Sequence, residues 1–324
     1  VRQPVATAAG RRCTHPPARG AVMQYTTLGR TGWRVSRLGL GGAAIGNEFG
    51  DVPESQAVRV IHMAMDAGVN FLDTAAQYGL GESERRFGVA LAGGKRSQVI
   101  LATKAVMRGT PYDYATTMAS VEASLRRLQT DYIDLIQLHE AETTTFDVAI
   151  NGCIAAFLDL KKAGKVRAIG VNARNLGILT PYIATGYVDT VLTYCRYMLI
   201  DTTLHDQLAP LTQAQQIGVI NGSPLGMGII TDTPAPFLRD HHDLLAEAER
   251  RKGLITHLRK PGAHGFVEAA MRYSLTSDDI AVTLTGAAQP EQLAANLHYC
   301  DGVGPSDAER RAIHELFRGQ PLFV

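Results

Sequence analysis

The chain lacks the features that would tie it to metal, membrane, nucleic acid or an oxidising compartment. Its four cysteines, Cys13, Cys153, Cys195 and Cys300, are scattered and form no CxxC pair. They read as reduced thiols of a cytoplasmic protein rather than a disulfide framework. The ten histidines include His241-His242 but no HExxH or comparable ligand spacing, so no metal is expected. No apolar stretch approaches the ~20 residues of a membrane-spanning helix. The formal net charge is only +1. Without a basic surplus, neither nucleic acid nor an anionic membrane is expected as the main partner. No P-loop, nucleophile elbow or Cys/His dyad is present.

What remains suits an α/β protein. The 324 residues, 45% of them hydrophobic, can bury a sizeable core as one large domain or two small ones. Residues 1–22 differ from the rest. They carry Arg2, Arg11, Arg12 and Arg19, no acidic residue, and Pro16-Pro17. They have no apolar core of a secretory signal, and the prolines spoil an amphipathic transit helix. We expect a disordered tail or upstream extension there, with a single domain over 23–324.

From Met23 onward the chain alternates between apolar runs and helical periodicity. Strand-like runs fall at Val35–Leu40, Asn70–Asp73, Val99–Thr103, Tyr132–Leu138, Val166–Val171, Thr190–Thr193, Gly218–Ile220 and Ile280–Leu284. Helical spacing marks Ser55–Ala67, Tyr114–Leu128 and Ile154–Ala163, with Gly68 and Gly164 as stops. Eight such units close most simply as a (β/α)8 TIM barrel, with a doubly wound open sheet as the rival. The first loop, LGLGGAAIG, does not give the GxGxxG fingerprint of the open-sheet dinucleotide site. Its glycines, Gly42 among them, are expected to let backbone approach a ligand at the barrel mouth. Thr231–Gly265, with Pro234, Pro236 and Pro261, reads as a long irregular excursion.

Four polar residues stand where apolar runs give way to loops: Asp73 and Tyr78 in NFLDTAAQYG, Lys104 in VILATK, and His139 in YIDLIQLHE. One strand-plus-helix unit takes roughly 30 residues or more, close to the Asp73–Lys104 and Lys104–His139 spacings. The four therefore recur once per unit and should gather at one rim, where α/β folds place their chemistry. A lysine beside a tyrosine favours the phenolate and lowers its pKa. An aspartate would hold the lysine charged and in place, and a histidine would bind the substrate oxygen or share the proton. Taken singly, each has a structural alternative: a helix cap, a rim aromatic, a solvated lysine, a satisfied histidine.

DTAAQYGLGESE, the LATK and LIQLH endings, GKVRAIGV and the SPLGMG loop together resemble the aldo-keto reductase superfamily, from about Met23 to about Asn296. TYCRYMLIDTTL and NGSPLGMGII look most like the branch of L-galactose dehydrogenase and D-threo-aldose 1-dehydrogenase. The resemblance implies a (β/α)8 barrel that binds nicotinamide cofactor without a Rossmann domain. It implies a catalytic tetrad of Asp73, Tyr78, Lys104 and His139, with the tyrosine as general acid/base. It places the cofactor along Gly42, Ala43, Asp73, Asn172, Gly222, Ser223, Pro224, Leu225, Gly226, Gly286, Gln292 and Asn296. Where many members carry Ser-Asn, this chain has Asn172-Ala173. Where many stack an aromatic on the nicotinamide it has Gly222, and Tyr194 is expected to supply that face instead. NADP-preferring members place an arginine four positions before the final asparagine. Here that position is Gln292, beside Glu291, which implies NAD.

The substrate implied is a small sugar or aldehyde. The leading expectation is oxidation of the C1 hydroxyl of an aldose such as L-galactose or L-fucose to its lactone. Tyr78, His139, Glu140, Arg196 and His205 are expected to contact it. The alternatives are an aldehyde or ketone reductase, pyridoxal-type carbonyls included, and a non-enzymatic cofactor-sensing subunit.

Overall fold

The structure, a computed structural model, describes residues 23–323 apart from 233, 263 and 264. The expectation of a disordered tail over residues 1–22 lies outside the described residues. Eight parallel strands close on themselves: β3 (Leu38–Gly41), β4 (Phe71–Asp73), β5 (Ile100–Ala105), β6 (Ile133–Leu138), β7 (Val166–Asn172), β8 (Thr190–Thr193), β9 (Gly218–Asn221) and β10 (Val282–Thr285), with β10 paired to β3. The open sheet is thereby ruled out. Before the barrel, β1 (Tyr25–Thr27) and β2 (Arg34–Ser36) form an antiparallel hairpin.

The run Val35–Leu40, expected as one strand, is split between β2 and β3. Arg37 sits at the corner and donates to the carbonyls of Ser277 and Ile280 at 2.5 and 2.8 Å. The break lets Val35 join the plug below the barrel.

Alternation along each strand builds two cores. Outward residues such as Leu40, Leu72, Leu101 and Ile136 pack under the helices. Inward residues Phe71, Ala102, Leu135, Ala168, Leu192, Ile220 and Val282 meet Leu28 and Val35 of the hairpin in a separate apolar plug. Both faces of each strand are buried, which is why the strands read as near-continuous apolar runs.

The surrounding helices are α1 (Glu54–Asp66), α2 (Glu82–Leu91), α3 (Tyr114–Leu128), α4 (Phe146–Ala149), α5 (Ala155–Lys162), α6 (Leu176–Ala184), α7 (Thr203–Gln207), α8 (Ala209–Ala214), α9 (His242–Leu254), α10 (Val267–Leu275), α11 (Pro290–His298) and α12 (Asp307–Phe317). α3 has the expected bounds because Asp113 caps it, its carboxylate accepting from the Thr116 amide at 2.7 Å. Val121, Leu125 and Leu128 form its buried face. The helix expected at Ile154–Ala163 starts earlier, at Phe146, and passes through a π turn at Ile150–Ile154. The segment Thr231–Gly265 is not irregular throughout, since α9 occupies its middle. Its prolines lie outside that helix. Among the described residues no helix is long and apolar enough to cross a membrane, and no group of three His, Cys, Asp or Glu could hold a metal ion. Cys153, Cys195 and Cys300 are buried free thiols.

Candidate active site

At the carboxyl ends of the strands lies a cavity of about 570 Å³. Its floor is set by strand register. Lys104 pairs with Gln137, Gln137 with Gly170, and Gly170 with Thr190 across four adjacent strands. Lys104 and Gln137 are buried, as is Asp73 on β4. The Lys104 ammonium forms an ion pair with Asp73 Oδ1 and donates to the Thr74 carbonyl at 2.9 Å. Gln137 Nε2 donates to Asp73 Oδ2 at 2.7 Å. Both oxygens of Asp73 are therefore held. Gln137 fits because Gly170 carries no side chain: a Cβ there would lie 3.0 Å from Gln137 Cγ and 2.5 Å from Thr190 Oγ1.

Tyr78 reaches the cavity from a left-handed turn. Gly79, Leu80 and Gly81 all have positive φ, at 59, 54 and 95°. Gly79 is required there, since a Cβ would stand 2.1 Å from the Gly46 carbonyl oxygen. The Gly79 amide also donates to Glu48 Oε1 at 2.8 Å. Two glycines of the first loop, Gly42 and Gly46, also serve this packing. A Cβ on Gly42 would meet Ser83 Oγ at 2.6 Å and the Asp73 carbonyl at 3.0 Å. Gly42 and Ala43 nevertheless line the cavity.

The Tyr78 and His139 rings meet edge to face, with centroids 5.8 Å apart. Lys104 Nζ lies 4.8 Å from the centroid of the Tyr78 ring. Burial pushes the Tyr78 hydroxyl above the usual phenol pKa. Lys104 pulls the other way, as its sequence position predicts, while Asp73 and Glu140 oppose it, and burial wins. For Lys104 burial is the largest single influence and pulls the pKa down. The charges and hydrogen bonds of Asp73 and Tyr78 together outweigh it, so the net direction is up. His139 is held well below the usual imidazole value by burial, then by Lys104 and Arg108. At neutral pH the trio is thus a phenol, an ammonium and an uncharged imidazole.

Above this floor the rim is tied together. Glu140, with φ at 47°, takes both ends of the Arg108 guanidinium, with Nε 2.5 Å from Oε2. Its amide donates to Asn172 Oδ1 at 3.2 Å, and the Arg108 amide donates to Gln77 Oε1 at 3.0 Å. Three of these four residues follow the sequence-picked residues by one or four positions or are themselves picked. Arg108 carried no signal in the sequence. Gln137 did carry one: it stands two before His139 and so shares its face of β6. Glu84 of the GESE run has a structural role. It is buried, accepting from Thr103 at 2.6 Å and Arg127 at 2.7 Å, and locks α2 to β5 and α3.

The opposite wall is built from the loops that follow β7, β8, β9 and β10. Asn172, Tyr194, Gly222, Ser223, Pro224 and Leu225 line it, continuing to Gly286, Gln292 and Asn296. A Cβ on Gly286 would meet nothing within 4 Å, so the wall there opens into free space. A Cβ on Gly222 would come within 3.2 Å of Tyr194 Cβ, so an aromatic at 222 and Tyr194 compete for one space. Gln292 Oε1 accepts from the Ala288 and Gln289 amides, both at 3.2 Å, in a capping box at the start of α11. Asn296 donates to Thr285 Oγ1 at 2.5 Å.

Four of the sequence-picked residues are not part of the cavity lining: Lys104, which lies beneath it against Asp73, and three that stand apart from the site. Gly226 lies behind the wall, where a Cβ would meet Met198 Sδ at 2.6 Å. Arg196 is buried and donates to the Arg174 carbonyl at 3.0 Å. His205 sits on α7, its Nδ1 2.6 Å from Asp279 Oδ2 and its ring against His314. Arg196 and His205 are therefore not carried forward as substrate contacts. Side-chain direction on the loop after β8 decided both, and sequence spacing does not contain it.

A closed parallel barrel with a buried lysine–carboxylate pair beside a phenol at its strand ends, together with the relatives that follow, makes this chain an NAD(P)-dependent oxidoreductase. The sequence profile of the aldo/keto reductase family matches residues 37–316, and the chain belongs to that family. It is 34% identical to L-galactose dehydrogenase of Arabidopsis thaliana over 282 residues, covering 85% of this chain and 87% of that one. It is 26% identical to D-threo-aldose 1-dehydrogenase of a Pseudomonas species, covering 83% and 90%. It is 28% identical to NADH-specific methylglyoxal reductase of Escherichia coli, covering 91% and 98%. Among solved structures, the holo form of an aldo-keto reductase from Bacillus halodurans superposes with a TM-score of 0.75 at 28% identity, over 91% of this chain and 96% of that one. The apo form gives 0.68 at the same identity and coverage.

Proposed function

We propose that this chain oxidises the C1 hydroxyl of an aldose of the L-galactose or L-fucose type to its lactone, with NAD as cofactor. The observation that carries the chemistry is the buried ammonium of Lys104, held by Asp73 and 4.8 Å from the centroid of the Tyr78 ring. Once ionised, with Lys104 stabilising its phenolate, Tyr78 takes the hydroxyl proton and becomes the phenol. Asp73, fixed at both oxygens, keeps Lys104 charged and aimed. His139, uncharged, accepts or donates a hydrogen bond at the substrate oxygen without competing for the proton. When bound along the Asn172–Asn296 wall, the nicotinamide supplies or receives the hydride. Glu140 and Arg108 stand beside His139 and offer a carboxylate and a guanidinium to sugar hydroxyls.

Two features support NAD over NADP. Gln292 is spent on the α11 cap, and no basic residue lies in Gly286–Glu291. Exposed Glu291 opposes a second phosphate. The sugar class rests on the aldose dehydrogenases among the relatives.

The second reading, reduction of an aldehyde or ketone, is favoured by one observation. The raised Tyr78 pKa leaves a phenol at rest, the form that donates a proton to a carbonyl. The methylglyoxal reductase relative points the same way. A panel of L-galactose, L-fucose, D-arabinose, pyridoxal and simple alcohols, run with NAD⁺ and NADP⁺, separates the readings. We expect the highest kcat/KM for an L-sugar with NAD⁺. Flat rates on all sugars with turnover of another substrate would select the second reading, and a clear NADP⁺ preference would reject the role given to Gln292 and Glu291.

A further inference from the structure

Beside the catalytic cavity lies a wider one of about 1290 Å³. The two share Glu48, Phe49, Arg108, Tyr194 and Met227, so the wider space is a vestibule continuous with the site. Its outer wall is α9 and the chain end Pro321–Phe323. That end is tied down: the Leu322 amide donates to Asp201 Oδ2 at 2.7 Å, and Arg251 Nη1 to the Gln320 carbonyl at 2.7 Å.

Three arginines line the vestibule, and they differ in what they hold. Arg108 is occupied by Glu140. Arg251 is occupied by Glu247 at 2.7 Å and by three backbone carbonyls. Arg174 is half-buried, yet no carboxylate among the described residues lies within ion-pair distance of its guanidinium. Its one side-chain contact of note is the Phe323 ring, 5.7 Å away. Its backbone is fixed at both ends: the amide donates to Glu142 Oε1 at 3.0 Å, and the carbonyl accepts from Arg196. The nearby Glu142 oxygen is thus already shared between that amide and the Tyr194 hydroxyl, 3.5 Å off. Asp240 and Asp243 are exposed on the far wall, at the start of α9. The strand-end side of the vestibule therefore presents an uncommitted fork of N–H donors on a fixed backbone, close to the Phe323 ring, with Tyr194 also lining the space. Such a fork matches a carboxylate or phosphate two bonds at a time. Arg174 lines only the vestibule and not the cofactor wall, so the anion it fits belongs to the substrate.

We propose that Arg174 binds an anionic group, carboxylate or phosphate, on a substrate whose reacting carbon lies at Tyr78. This rests on Tyr78 as the reacting centre but not on the sugar assignment. The full-length enzyme, Arg174→Met and Arg174→Lys are compared on 4-carboxybenzaldehyde and benzaldehyde with NADH. We expect wild type to favour the carboxylated aldehyde. Arg174→Met should lower its kcat/KM about tenfold or more, mainly through KM, with benzaldehyde and NADH constants within about twofold of wild type. Arg174→Lys should recover part of the loss. Equal losses on both aldehydes, or a rise in KM for NADH alone, would overturn the proposal.

Binding is read without turnover by calorimetric titration of the NADH-loaded enzyme with 4-carboxybenzyl alcohol and benzyl alcohol. Tighter binding of the carboxylated ligand, lost in Arg174→Met, supports the subsite, and equal affinities overturn it. Competition by acetate and by inorganic phosphate then tells which anion fits better. Inhibition by neither counts against the subsite. If sugars fail in the panel above while the carboxylated preference holds, the sugar assignment falls and the subsite stands.

Discussion

The floor of the barrel and its vestibule are built on opposite terms. On the floor, Asp73, Lys104 and Gln137 are buried, and every charge meets its partner through strand register. In the vestibule, loops, α9 and the chain end enclose a larger space. Phe49 and Phe237 are more than half exposed, and Arg174 is uncommitted. The contrast separates two tasks. A proton relay needs fixed geometry and desolvated charges, which only paired strands supply. Substrate selection needs surfaces that change without disturbing the strands. Changes on the floor should therefore alter the chemistry for every substrate, and changes in the vestibule should alter which substrate is preferred.

The largest expected effect on the floor is Lys104→Met. Removing the ammonium leaves Asp73 as an unpaired buried charge and deprives Tyr78 of its stabilising cation. Turnover should fall by about a thousandfold or more on all substrates, with steady-state kinetics as the check. A loss confined to one substrate would erase the division between floor and vestibule.

Gln137→Leu should give a smaller and more diagnostic change. Gln137 now neutralises part of the Asp73 charge through Oδ2. Without it, Asp73 opposes Tyr78 ionisation more strongly, and the Tyr78 pKa rises further. Oxidation needs the phenolate, so its rate is lost as pH falls through that pKa, and the limb moves to higher pH. We expect a shift of about half to one pH unit and roughly a tenfold loss near neutrality. Gln137→Glu, which places a second carboxylate beside Asp73, should move the limb further the same way. An equal loss at every pH with no shift would make Gln137 a packing residue only. Neither variant nor wild type should show a limb in the ordinary imidazole range, because His139 is uncharged there.

The smallest effect should come from outside both regions. Asp113→Ala removes the α3 cap and should cost about 1 kcal/mol of stability in denaturant unfolding, with kcat/KM unchanged.

The same division governs how much was legible in the sequence. The strands were legible because burial on both faces makes them apolar runs, and Asp73, Tyr78, Lys104 and His139 because each ends such a run or follows it. The split at Arg37 was not, since Val35–Leu40 is apolar on both sides of the corner. Gln137 was visible as a polar residue two before His139, but its partner lies on another strand and depends on register. The exchange of Arg196 for Arg174 as the arginine at the vestibule was hidden. Arg174 follows β7 by two residues and Arg196 follows β8 by three, and only the loop path decides which one is turned toward Asp201 and which is left free. α9 was masked by prolines that flank it.

The most direct test of the central assignment is Tyr78→Phe, which deletes one oxygen and keeps the ring against His139 and Lys104. Cofactor affinity by fluorescence titration should stay within about twofold of wild type, while turnover falls by about a thousandfold or more in both directions at every pH. Turnover within tenfold of wild type would contradict Tyr78 as the group that moves the proton.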